Sequence, residues 1–207
     1  AKFNLLGGDL FQISGAFSIK LSTSSIQLFA DGNIALTPGG VTIFEARVQA
    51  LVLAGKVPLS GGGTAIGLGG KFKLGASLIL PGVSIGGSLD VLLNTTGSDL
   101  TWQVTPFLRS VVGYNEITIS GRPQKLNAAF DPNAAGGLSA GGSALVDDTA
   151  LPMGPYVAIG GIGQMDILSG TMTWDGALFF SISPTKIELR TVVTVSYTHL
   201  TLPTILL

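Results

Sequence analysis

Few stretches of this chain bring together residue types that could do chemistry. Gly137-Leu138-Ser139-Ala140-Gly141 has the spacing of a nucleophile elbow, where a histidine deprotonates a serine held on a sharp strand-to-helix turn. No helical pattern follows it, and the only available base is His199. With 30 Gly in 207 residues, chance accounts for the match, and no catalytic serine is assigned. A phosphate loop fails too: Phe72 follows Gly70-Lys71 where Ser or Thr is needed, and Ala65 stands where the first glycine belongs. Gly61-Gly62-Gly63-Thr64 reads as a flexible turn, since no helix follows to cradle an anion. The 12 acidic residues are scattered singly, without the facing pair that glycosidic chemistry requires.

Metal chemistry is equally thin. Gly160-Gly161-Ile162-Gly163-Gln164-Met165-Asp166 approximates a calcium-binding G-G-x-G-x-D turn, but its Asp falls one residue late and no second copy stacks on it. It is expected to be a turn leading into Met165-Asp166-Ile167. Asp147-Asp148, with Asp131 nearby, could offer oxygens to a hard cation, although adjacent loop acids are usually just solvated. Asn94-Thr95-Thr96 is formally a glycosylation sequon within a turn. Trp102 and Trp174 have no basic neighbours that would make a base-stacking platform, and are expected in the core. No catalytic, cofactor-binding or metal-binding residue is therefore assigned, no cofactor is expected, and the chain is not expected to be an enzyme.

Charged residues are 11% of the chain, against roughly 25% in ordinary globular domains. Hydrophobic residues are 46%, which excludes disorder driven by polarity. A net charge of −1 gives no electrostatic reason for nucleic acid as a partner. The absence of Cys removes disulfide frameworks and thiolate metal sites.

The elements that would carry any site are strands. Phe17, Ile19 and Leu21 alternate with Ser18, Lys20 and Ser22, and similar alternation surrounds Ile34, Val41, Ile117 and Ile187. Glu45 to Leu53 is the best helix candidate, yet Phe44, Ala46, Val48, Ala50 and Val52 alternate there, so a strand is expected. Leu74 to Leu89 and Thr149 to Met165 are uncharged, but Pro and Gly interrupt them, and no transmembrane helix is expected. The fold class is all-β.

An internal repeat is visible. Phe11 to Leu28 aligns with Met172 to Leu189 without gaps, and Ile85 to Thr96 matches from Ile13 onward. Gly15, Gly87 and Gly176 share one position, where a strand glycine marks a bend or a close backbone approach. A Ser/Thr/Asn/Pro cluster follows each strand and reads as a turn, making each copy a β-hairpin. The expected organisation is a β-repeat region with two hairpin copies over residues 1–126. A Gly/Ala-rich loop follows over 127–155, then a third, incomplete copy over 156–194. Leu108 to Val146 departs from the repeat pattern.

Residues 195–207 are set apart. Val195-Ser196-Tyr197-Thr198-His199-Leu200-Thr201-Leu202-Pro203-Thr204 resembles a translated transposon-end sequencing adapter. On that resemblance native sequence is expected to stop near Thr194, and His199 is not biological. Ala1 opens the chain with no basic, then apolar, leader after it, so no signal peptide is expected within this piece.

Ser88-Leu89-Asp90-Val91-Leu92-Leu93-Asn94-Thr95-Thr96-Gly97 and Leu178-Phe179-Phe180-Ser181-Ile182-Ser183-Pro184-Thr185 resemble the repeats of very large exported, β-rich bacterial proteins. Pro155-Tyr156-Val157-Ala158-Ile159-Gly160-Gly161-Ile162-Gly163 is similar to a phrase opening such repeats. The resemblance implies an extracellular or cell-surface chain, with no catalytic residues. The expected architecture is antiparallel hairpin repeats in an extended, curved or solenoid-like sheet. The leading expectation is a structural repeat module, a spacer or adhesion scaffold. Its expected partners are neighbouring repeats of the same chain and cell-surface or matrix components. The first alternative is a hydrophobic β-groove or barrel wall handling lipid, disfavoured by strands that look shorter than the 9–11 residues a barrel needs. The second is a hydrolase or lyase on a β-scaffold.

Overall fold

The computed structural model describes residues 2–5, 11–122, 129–130, 138–139, 154–168 and 170–198. The alternating segments form β1 (Lys2–Leu5), β2 (Phe11–Leu21), β3 (Ser25–Leu36), β4 (Phe44–Pro58), β5 (Thr64–Leu80) and β6 (Val83–Asn94). There follow β7 (Leu100–Gln103), α1 (Pro106–Val112) and β8 (Glu116–Ile119), then a small ribbon of β9 (Ala129–Phe130) and β10 (Leu138–Ser139). The chain returns as β11 (Tyr156–Ile167), β12 (Met172–Ser183) and β13 (Lys186–Tyr197). Nine of these strands build one open antiparallel sheet, ordered β1-β2-β3-β4-β5-β6-β11-β12-β13. The insertion between β6 and β11 folds back, and β7, α1 and β8 lie on one face of the sheet.

The chain is predominantly β and antiparallel, and Glu45 to Leu53 is strand, as expected. Several local expectations need correction. The strands are long: β2 has 11 residues, β3, β6, β11, β12 and β13 have 12 each, β4 has 15 and β5 has 17. Interior glycines looked like strand ends because they lack a side chain to alternate, but the ladder runs through them. Gly160 to Asp166 is accordingly not a turn; it lies inside β11, paired with β6 and β12. The copies beginning at Phe11 and Met172 are hairpins, β2–β3 and β12–β13. The middle copy is not, because β6 pairs with β5 and β11 while β7 leaves the sheet to pair with β8. The departure from the sheet thus starts after Asn94, well before residue 127.

The one α-helix among the described residues was not anticipated from periodicity. It has seven residues, Pro106 in its first turn and Gly113 in the left-handed conformation at its end (φ 82°). That is too short for a 3.6-residue pattern to show. Of the elbow-like motif, Leu138 and Ser139 form β10, paired with β9. Its flanking residues lie outside the described ones, as do Asp131, Asp147, Asp148 and His199. Of the adapter-like stretch, Val195, Ser196 and Tyr197 continue the register of β13 against Trp174, Thr173 and Met172.

Burial sits on the insertion side. Phe29, Leu51, Leu53 and Val57 of the sheet close on Leu100, Trp102, Val104, Leu108, Ile117 and Ile119 of the insertion. A second cluster joins Leu92, Tyr156, Ala158 and Phe179 across β6, β11 and β12. Gly67 and Gly69 make room for the insertion. A Cβ at Gly69 would fall 2.5 Å from Leu100 Cδ1, and one at Gly67 2.5 Å from Thr96 Cγ2.

Candidate functional site: an apolar and a charged face of one sheet

Side chains alternate across a strand, so the ladder registers sort each strand into two sets. One set faces the insertion. It holds Lys20, Asp31, Glu45, Arg47, Lys71, Lys73, Asp90, Asp166, Asp175, Lys186 and Glu188. The other set is apolar from edge to edge. One cross-strand row runs Phe17, Ala30, Ala50, Phe72, Val91, Ile159, Phe180, Leu189. Among the described side chains of β2 to β6 and β11 to β13, only Lys56, Thr64 and Thr191 interrupt this face. Lys56 lies beyond Gly55, whose positive φ of 88° ends the pairing with β3.

Nothing among the described residues covers that face. Phe17 is 66% exposed, Leu21 69%, Ile187 73% and Ile66 85%. Most of the large exposed apolar side chains lie here. From Leu68 to Leu80 the apolar run along β5 is ~40 Å long at about 3.3 Å per residue. Across the strands the face covers on the order of 1,000 Å², beyond the roughly 300–600 Å² of the largest patch on an ordinary soluble monomer.

A row of small residues crosses this face as Ala46, Ala76, Gly87, Gly163 and Gly176 on five adjacent strands. Above Ala76 and Gly87 it opens into a shallow apolar depression of about 460 Å³ between Phe44, Leu74, Leu78, Ile85 and Leu89. At its other end the Trp174 indole lies on the glycines. A Cβ at Gly176 would stand 2.9 Å from the ring, and one at Gly163 3.2 Å. Trp174 was expected in the core; it is half-buried on the apolar face because the glycines give its ring a flat seat. Gly15, Gly87 and Gly176 all belong to this face, and each stands opposite another glycine (Gly32 or Gly163).

The charged face is held to the insertion by polar contacts that no local pattern announces. Trp102 stacks on Phe29 with centroids 4.9 Å apart, and its Nε1 donates to Gln27 Oε1 at 3.1 Å. The Tyr114 hydroxyl donates to Asp31 Oδ2 at 2.7 Å and accepts from Gln49 Nε2 at 2.8 Å. Arg47 adds an ion pair to Asp31 at 3.6 Å. Burial, and then the Asp31 carboxylate, push the Tyr114 phenol well above its ordinary pKa, so it remains a donor. Asn94, in the sequon, is fully buried. Its Nδ2 donates to the Ser98 and Ser120 carbonyls at 2.8 and 2.9 Å, and its Oδ1 accepts from the Thr96 amide and hydroxyl. This residue is a structural joint with no room for a glycan. The buried Tyr156 hydroxyl donates to the same Ser120 carbonyl at 2.8 Å.

Further along, Lys73 pairs with Asp90 at 3.6 Å. Burial raises the Asp90 pKa, with Lys73 and Lys71 opposing the rise. Burial and then Lys73 lower that of Lys71, whose Nζ donates to the Thr118 carbonyl at 3.4 Å. Lys186 and Glu188 pair at 2.8 Å. These charges are spent on one another or on the insertion. Among the described residues no group of three His, Cys, Asp or Glu is placed to hold a metal. Asp31 and Glu45 line one groove, but they sit two rows apart along the strands, too far to share a proton. No protein-family model, curated protein or solved structure matches this chain.

Proposed function

We propose that this chain is a lipid-contacting β-wall. Its apolar face lies against hydrocarbon, and its charged face, bearing the insertion, lies against water or a polar interior. The observation that carries the reading is the sorting of charge: on strands of 11 to 17 residues, the only charged side chain on the apolar face among the described ones is Lys56, at its rim. An apolar run of ~40 Å along strands tilted by about 40° rises ~30 Å, the thickness of a bilayer's hydrocarbon core. Strand length was one objection to a barrel wall, beside an aromatic content of 7%, and the long strands remove that one. The sheet is open, so in this reading further strands complete it at β1 and β13.

A second reading keeps the extracellular repeat module, a spacer or adhesion scaffold in which the apolar face packs on a neighbouring repeat. The shared placement of Gly15, Gly87 and Gly176 supports duplication, and duplicated units stack by burying what each leaves open.

The two tryptophans separate these readings. Trp174 lies on the apolar face and Trp102 under the insertion. Reconstituted into vesicles of brominated phosphatidylcholine, the full chain is expected to lose Trp174 emission and retain that of Trp102. Trp174→Phe should abolish the quenching and Trp102→Phe should leave it intact. Unquenched Trp174, together with concentration-dependent self-association in lipid-free buffer, would overturn the lipid reading in favour of the stacked module.

A further inference from the structure

The internal duplication reaches further than the hairpins. Phe11 pairs with Leu36 and Leu21 with Ile26, just as Met172 pairs with Tyr197 and Ile182 with Ile187, so β12–β13 keeps the register of β2–β3. The strand before each hairpin matches as well. β1 lays Lys2, Phe3, Asn4 and Leu5 against Ser14, Ile13, Gln12 and Phe11. β11 lays Gln164, Met165, Asp166 and Ile167 against Asp175, Trp174, Thr173 and Met172. There the likeness stops. β11 continues along β12 as far as Ile182, whereas the β1 pairing ends at Ser14, and no described strand lies outside residues 16–21.

That stretch of β2 is an edge without the usual defences. A strand edge presents a row of unpaired backbone groups, which proteins blunt with proline, bulges or charge. Residues 16–21 hold no proline and one charge, Lys20, and their register with β3 is unbroken. The side chains show what a neighbouring strand does. Phe17 and Leu21 are 66% and 69% exposed, against 40% and 42% for Leu178 and Ile182, their counterparts beside β11.

We propose that residues 16–21 accept a strand of the β11 type from a neighbouring repeat, antiparallel to β2 and continuing the line of β1. The slot is continuous with the β1–β2 ladder, which fixes direction and register. Val157, Ile159 and Gly161 of such a strand stand opposite Leu21, Ile19 and Phe17, as they stand opposite Ile182, Phe180 and Leu178 in β12. The valine and isoleucine extend the apolar face, and the glycine leaves room for the Phe17 ring to lean across. Main-chain hydrogen bonds supply the affinity and the alternate side chains the selectivity. The edge lies beside the sheet and not over it. The proposal therefore rests on the duplication and not on what covers the apolar face.

The test uses the full chain in dodecylmaltoside micelles and a synthetic peptide of residues 156–163, with a scrambled peptide as control. Saturating peptide should slow exchange of the outward-facing amides within residues 16–21 roughly tenfold and leave those of β4 and β5 unchanged. Alternate peptide N–H groups point to opposite sides of a strand. Methylating the nitrogens of Val157, Ile159 and Gly161, or instead those of Ala158, Gly160 and Ile162, should therefore abolish binding in one case only. The chain has no Cys, which allows a check of register. Ile19→Cys should form a disulfide with an Ile159→Cys peptide and much less with Val157→Cys or Gly161→Cys peptides. Equal protection by the scrambled peptide, binding indifferent to both methylation patterns, or cross-linking without register preference would each overturn the proposal. Protection of residues 16–21 that rises with protein concentration in the absence of peptide would overturn it too, by assigning the edge to a second copy of this chain.

Discussion

Phe17 and Phe29 stand on neighbouring hairpin strands within one row of each other, yet one is 66% exposed and the other 1%. The difference is which side of the sheet each occupies. On Phe29's side the chain supplies its own cover, an insertion with a helix, two short strands and several polar tethers to the sheet. On Phe17's side the described residues supply only more of the same aliphatic surface. A sheet finished on one face and bare on the other carries its fold energy and its interaction capacity in separate places.

That contrast can be attacked directly. The largest effect is expected from Phe29→Ala, which removes the ring under Trp102; chemical denaturation should show a loss of about 3–5 kcal/mol. The matched Phe17→Ala should cost well under ~1 kcal/mol in lipid-free conditions, because little of that ring is buried there. Equal costs would mean that both faces are covered.

Asn94→Leu is expected next, at about 2–4 kcal/mol, since it removes four hydrogen bonds at a fully buried position and leaves the Thr96 amide without its acceptor. A cost confined to surface values would break the claim that Asn94 ties the insertion down. Gly176→Val should cost about 1–3 kcal/mol by driving a side chain into the Trp174 ring. It should also shift Trp174 emission while leaving that of Trp102 unchanged.

The smallest effect concerns charge. Lys71 has a lowered pKa in the folded state, so folding is penalised wherever the unfolded chain is protonated and the folded one resists it. Lys71→Met should therefore be neutral to modestly stabilising at pH 7. Any gain should fade as pH rises through the lowered folded-state pKa toward the ordinary lysine value of about 10.4, and be gone above it. Stability unaffected by pH across that range in both proteins would remove the desolvation argument for the charged face.

The strands were legible because alternation is local: Phe17, Ile19 and Leu21 announce a half-buried strand from neighbours alone. Their lengths were not. Gly32, Gly69 and Gly161 read as interruptions, whereas each continues a strand because its partner strand or the insertion needs the space. The apolar face was legible in part, as a surplus of Leu, Ile and Val against sparse charge. That nearly all the charge falls on one side depends on register, and register depends on pairings up to 84 residues apart, Val83 with Ile167 being the most distant in the β6–β11 ladder. The insertion was least legible. Tyr114 meets Asp31, and Trp102 meets Gln27, across sequence separations of 83 and 75 that no short window spans.

The two ends of the sheet differ in what they ask of the chain. At one end β5 and β6 are joined by Pro81-Gly82, β11 and β12 by residues 168–171, and β3 and β4 by residues 37–43 with one 3-10 turn. At the other end the path from β6 to β11 carries the whole insertion with its charges and buried tethers. A wall of this construction has a leading edge and a trailing one. Connections of seven residues or fewer pass through an oily layer more readily than a folded excursion does, so in the proposed wall the side that bears the insertion would be the one that stays in water.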